Sequence, residues 1–139
     1  MPSLEAHHFG VTVADLDRTV PFYRDVLGLE LVARFSVSGE AFATGVGVPN
    51  GTGRFAHLDA GGARVELVEY EPAGGDATAE SLDQSGAKHL GLSVSDIDQF
   101  YADLPEDVET VSAPQTTESG ARILFVRDPE DNLVEIIEA

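Results

Sequence analysis

The chain repeats itself. Residues 8 to 17, HFGVTVADLD, return at residues 89 to 98 as HLGLSVSDID, with an offset of 81 throughout. His8, Gly10, Val13, Asp15 and Asp17 recur as His89, Gly91, Val94, Asp96 and Asp98, while Phe9/Leu90, Val11/Leu92, Thr12/Ser93 and Leu16/Ile97 are conservative pairs. A second echo, VELVE at 65–69 against VEIIE at 134–138, follows in the same order with an offset of 69. Two ordered echoes restrict the chain to folds built from two similar modules.

Each half reads as β-α-β-β-β. In the first, a strand over about 5–13 leads to Asp15 and Asp17, either of which can cap a helix. That helix runs through RTVPFYRDVL and stops at Gly28, with Pro21 tolerable only near its first turn. Strands follow near 29–38, 53–59 and 63–70. The second half gives a strand at 88–94, a helix at about 97–104, and strands near 108–113, 121–127 and 132–138. Module one therefore spans 1–71 and module two 88–139. Residues 72–87 form a linker with room for a short helix in its middle. The other long irregular segment is 38–53, a length at which loops are often functional. The expected fold class is α+β, with two tandem modules forming curved mixed sheets around a concave site.

Composition narrows the partners. The chain has 139 residues, 42% of them hydrophobic, enough for one compact domain or two small halves. Twenty-five acids face eight bases, for a net charge of −17, and Lys88 is the one lysine. Such a charge repels nucleic acid and anionic lipid. The acids are spread along the chain without forming a block, which reads as a solvated, halophile-like surface. No apolar run approaches the roughly 20 residues needed to span a bilayer, and the acidic start lacks a signal-peptide pattern, so a cytoplasmic location is expected. Cysteine is absent, which excludes disulfides and thiolate metal sites.

The repeat also sorts the histidines. Successive strand side chains point to opposite faces, so His7, Phe9, Val11 and Val13 share one face and His8, Gly10 and Thr12 the other. In the copy, Leu90, Leu92 and Val94 oppose His89, Gly91 and Ser93. The bulky face packs under the helix and the small polar face lines a concavity. His8 is thus selected, because Lys88 stands where the copy would repeat His7.

Glu66 and Glu135 occupy equivalent places inside otherwise apolar strands, where a carboxylate is costly unless paired or bound to a cation. A lone strand histidine is more often hydrogen-bonded than ligating, and a lone glutamate usually faces water. Two of each at duplicated positions point to a metal. Two imidazoles and two carboxylates suit one Ni²⁺, Co²⁺, Zn²⁺, Mn²⁺ or Fe²⁺ ion, leaving positions open for substrate. If AGGA is a two-residue hairpin loop, Ala60 pairs with Ala63 and His57 faces Glu66 across the sheet. His57 is then either a substrate contact or hydrogen-bond partner of that carboxylate, or a semi-buried sheet residue without a role. Its counterpart at the offset of 69 is Val126.

Paired β-α-β-β-β modules with His8, Glu66, His89 and Glu135 resemble the vicinal oxygen chelate superfamily, which includes glyoxalase I, methylmalonyl-CoA epimerase, extradiol dioxygenases and bleomycin- or fosfomycin-resistance proteins. HFGVTVADLDRTVPFYRDVLGLELV is similar to the family's opening motif and VRDPEDNLVEII to its closing D-P-x-G-x-x-x-E motif. Asp131 stands at the usual glycine, and Asn132 beside it is expected to take the left-handed turn. The motifs are specific for the fold and weak for the reaction. The resemblance implies a quartet of the glyoxalase type, His8, Glu66, His89 and Glu135, on one divalent ion. It favours lyase, isomerase or epimerase chemistry by proton transfer next to a carbonyl, through an enediolate of a small chelating substrate. Glu135 or Glu66 would be the general base. A dioxygenase is the alternative, although Phe125 stands where such enzymes tend to have Tyr; a small-molecule (antibiotic) binding or resistance protein without turnover is another. The resemblance also implies a homodimer.

Overall fold

A computed structural model describes residues 2–139 of the chain. The chain divides into two compact units between Asp76 and Ala77. The first unit contains strands β1 (His8–Thr12), β2 (Glu30–Val37), β3 (Thr52–Asp59) and β4 (Arg64–Glu71) with helices α1 (Leu16–Pro21) and α2 (Glu40–Val46). Its mixed sheet has the order β1-β4-β3-β2, with β1 parallel to β4 and the other pairs antiparallel. The second unit contains β5 (Leu90–Ser93), helix α3 (Ile97–Ala102), β6 (Gln115–Thr116), β7 (Arg122–Arg127) and β8 (Leu133–Glu138). Its order, β5-β8-β7-β6, repeats the first. Among the described residues no helix is long and apolar enough to cross a membrane.

The same local chemistry starts the first helix of each unit. Asp15 and Asp96, rather than Asp17 and Asp98, are the N-caps: their carboxylates accept from the backbone N–H groups of Arg18 and Gln99. Asp17 and Asp98 instead pair with Arg34 and Arg122, each at 2.6 Å. A third carboxylate closes each helix entrance. Glu69 Oε1 accepts from the Leu16 N–H at 3.2 Å, and Glu138 Oε1 from the Ile97 N–H at 2.8 Å. Each of the two Glu residues in VELVE and VEIIE thus has its own face, the second one serving the helix.

Leu16, Val20, Tyr23, Leu58, Val65 and Leu67 form the core between α1 and its sheet; Ile97, Leu124, Val126, Val134 and Ile136 do so under α3. Pro21 lies at the end of α1 rather than in its first turn. It lacks the N–H that would continue the ladder, and the helix passes it by widening into a π-turn over Phe22–Val26, closed by Leu27 N–H on the Phe22 carbonyl at 3.0 Å.

Several expected elements differ. The segment 38–53 is not wholly irregular, since α2 lies within it. The linker has turns near 81–86 and no helix, with the Gln84 carboxamide oxygen accepting from the Glu80 and Ser81 amides. The strand expected over 108–113 is reduced to a bridge between Thr110 and Val126, and β6 begins only at Gln115. Two prolines, Pro105 and Pro114, bracket this stretch and restrict its ladder. In the closing turn it is Asp131, at φ 66°, that adopts the left-handed conformation, not Asn132. The reason is Asp128: its Oδ1 accepts from the Glu130 and Asn132 amides and its Oδ2 from the Asn132 side chain, which locks Asn132 in place.

Candidate active site: a histidine–carboxylate pair in each unit

Strand alternation delivers the side chains. His8, Gly10 and Thr12 of β1 lie in register with Arg64, Glu66 and Val68 of β4. Glu66 in turn lies opposite His57 of β3. His8 Nε2 is 3.5 Å from Glu66 Oε2 and the two side chains are 38% and 16% exposed. In the second unit Gly91 lies beside Glu135, and His89 Nε2 is 3.3 Å from Glu135 Oε1, with side chains 40% and 20% exposed. The pairs match in composition, spacing and exposure. A glycine flanks each carboxylate: a Cβ on Gly10 would sit 3.9 Å from Glu66 Oε1, and one on Gly91 3.9 Å from Glu135 Oε1. A side chain at either glycine would thus come into van der Waals contact with the carboxylate.

His7 needs a correction. It precedes β1, and its Nδ1 lies 2.8 Å from His8 Nδ1, so the pleat does not keep the two rings apart. That contact occupies the inner nitrogen of His8 and leaves Nε2 toward Glu66. The adjacent histidines are therefore linked after all.

The surroundings of the two pairs differ. His57 is 6% exposed, and its Nε2 lies 2.9 Å from Glu66 Oε2. The Arg64 Nη1 stands 3.2 Å from His57 Nδ1. The residue opposite Glu135 is Phe125. The expected counterpart of His57 was Val126; the register makes it Phe125, because the β7–β8 connection between Arg127 and Leu133 is one residue longer than that between Asp59 and Arg64. Phe125 offers an aromatic edge to His89, with centroids 5.1 Å apart, and no hydrogen bond to the carboxylate. Phe35 and Phe55 stack at 5.1 Å beside His57, and Phe42 of α2 adds to them, so the first unit carries an aromatic wall next to its pair.

A divalent ion suits these donors. Adjacent ligands with bonds of about 2.0–2.2 Å sit roughly 3 Å apart, close to the nitrogen–oxygen separations of both pairs. Among the described residues no three His, Cys, Asp or Glu side chains form a ready-made cage. The donors come as one histidine–carboxylate pair in each unit.

Two β-α-β-β-β modules, each with a histidine at the N-terminal edge of its first strand and a glutamate on its last, define a duplicated α+β class of protein. Residues 5–136 match the model of the Glyoxalase/Bleomycin resistance protein/Dioxygenase superfamily, and the chain belongs to that superfamily. It is 28% identical over 124 residues to a 2-epi-5-epi-valiolone epimerase from Actinomyces sp., covering 85% of this chain and 68% of that protein. A glyoxalase family protein from Bacillus cereus superposes with a TM-score of 0.87 at 24% identity, covering 99% of this chain and 95% of that one. The trypanothione-dependent glyoxalase I of Leishmania major gives a TM-score of 0.68 at 23% identity, over 98% and 87% of the two chains. These likenesses to solved structures establish the fold.

The residue that sequence reasoning missed is Arg64. A basic residue at a hairpin end carries no signal of its own; only the register opposite Asp59, two residues from Glu66 on the same face, could have marked it.

Proposed function

We propose that the protein is a divalent-metal-dependent enzyme that moves a proton at a carbon next to a carbonyl, in a small substrate with two neighbouring oxygens. The observation that carries this reading is the duplicated His–Glu pair: His8 with Glu66 and His89 with Glu135, alike in spacing and exposure. The proposed ligand set is these four residues on one ion. The epimerase among the chain's relatives supports proton-transfer chemistry, and Phe125, which has no acid–base group, favours it over oxygen chemistry.

When bound, the ion would supply positive charge for the oxyanion that develops as the carbon acid loses its proton. The chain's own residues do the rest. Glu135 takes the proton from carbon and returns it to the neighbouring carbon to complete an isomerisation. In an epimerisation, water delivers a proton to the opposite face of the same carbon and Glu135 gives its own back to water. The glycines beside both carboxylates leave room for the substrate, and the aromatic wall packs against His57 beside Glu66. The same reading includes a homodimer, because each sheet leaves edge strands unpaired. A monomer by light scattering in molar salt would remove that element.

The test is a screen of hemithioacetals and 2-substituted acyl thioesters with metal-loaded protein in deuterated water. Deuterium entering at the carbon acid is the expected result. Oxygen consumption with a catechol would replace the reading with a dioxygenase, and tight binding without exchange would replace it with a sequestering protein.

A further inference from the structure

The duplicated carboxylates do not have equal surroundings, and the inequality lies in hydrogen-bond chemistry. A guanidinium has only donors. With Arg64 Nη1 at 3.2 Å, His57 Nδ1 must therefore accept, and the ring hydrogen is assigned to Nε2. Nε2 then donates to Glu66 Oε2 at 2.9 Å. The ring has little freedom to leave: it is 6% exposed and Phe35 meets it edge-on with centroids 5.1 Å apart. Glu66 Oε2 is thus held by a buried donor on the neighbouring strand as well as facing His8. Glu135 has His89 as its one side-chain partner among the described residues, at 3.3 Å, and Phe125 opposite it gives nothing to hold.

We propose that His57, oriented by Arg64, is a positioning residue that fixes Glu66 in place, leaving Glu135 as the carboxylate free to swing between its histidine and a substrate. This rests on the metal-dependent reading for its consequence but not for its geometry. A base that must release one partner and approach a carbon needs a loose seat; a carboxylate that must stay on an ion benefits from a tight one. An outer partner of this kind commonly contributes 10–100-fold to metal affinity.

The experiment uses the full chain. In metal-free protein, long-range ¹H–¹⁵N NMR reads the His57 tautomer. Hydrogen on Nε2 is expected, with a shift toward a mixture in Arg64→Met, an exposed substitution that leaves the core intact. Titration with Co²⁺ alone, followed by calorimetry and its visible spectrum, reads the consequence. His57→Phe, which copies the second unit, should weaken Co²⁺ binding by about tenfold or more with the imidazole contribution to the spectrum unchanged. His57→Gln, which keeps an N–H donor, should recover most of the loss, and His57→Phe should add nothing in a Glu66→Ala background. The proposal is overturned by hydrogen on Nδ1 in the wild type, by undiminished Co²⁺ affinity in His57→Phe, or by an effect that persists without Glu66. A spectrum that loses an imidazole in His57→Phe overturns it too, making His57 a ligand. If the wild type binds no Co²⁺, the metal reading fails by itself and the tautomer alone decides the positioning.

Discussion

The two units start from the same plan and diverge one strand away from it. In both, a histidine at the N-terminal edge of the first strand faces a glutamate on the last, a glycine sits beside that glutamate, and an aspartate caps the helix. On the third strand the first unit places His57 and the second Phe125. The first unit also has longer strands and an extra helix, α2, whose Phe42 packs on Phe55. Duplication has kept the donor pair and let its supports change. Symmetry in a sequence therefore marks the paired positions and says little about what surrounds them.

The largest effect should come from the pairs themselves. His89→Ala should strip bound metal from protein purified without chelators, beyond the 10–100-fold loss typical of an outer partner, while His57→Ala should stay within that range. Metal analysis of the two variants side by side checks this, and equal losses would erase the distinction between the units' histidines.

Core truncation should treat the units alike. Leu16→Ala and Ile97→Ala remove side chains that are 1% and 0% exposed at the same place in each half, and each should cost about 2–5 kcal/mol in urea unfolding. A large inequality would mean that one unit carries most of the stability. Next in size, Glu135→Gln should lower turnover by about 10²-fold or more while much of the metal stays bound. Glu66→Gln should fall mainly on metal retention, and the reverse pattern would exchange the roles of the two carboxylates.

The connecting turns give smaller effects of opposite sign. Gly61 in the first unit has φ 90°, and Asp131 in the second has φ 66°. Gly61→Ala should destabilise by about 1 kcal/mol, whereas Asp131→Gly should be neutral or stabilising by less than that. Thermal melts of the two variants decide it. The smallest effect is electrostatic. The hydrogen bond from Arg34, helped by the charge of Arg54, holds the exposed Asp17 carboxyl below the ordinary aspartate range. Its ionised form is the one the fold favours, so the associated stability is present above the ordinary value and fades as pH falls through the lowered one. A carbon-13 titration of Asp17 should show the lowered midpoint, and Arg34→Met should bring it back toward the ordinary value.

What the amino-acid order determined by itself was everything governed by period and repetition. Strand alternation put His8 with Gly10 and Thr12, the offset of 81 tied it to His89, and the apolar settings of Glu66 and Glu135 marked them as exceptional. The opening and closing motifs beside them resemble those of the superfamily, and the match over residues 5–136 bears that resemblance out. The tertiary structure decided what depends on register and on reach between strands. One extra residue between Arg127 and Leu133 moved the partner of Glu135 from Val126 to Phe125. An exposed arginine two positions from Glu66 turned out to set the face that His57 presents. Asp15 rather than Asp17 took the cap, because Asp17 had Arg34 within 2.6 Å. A hydrogen bond between strands is fixed by turn length and by side chains that are distant in sequence, so no local pattern records it.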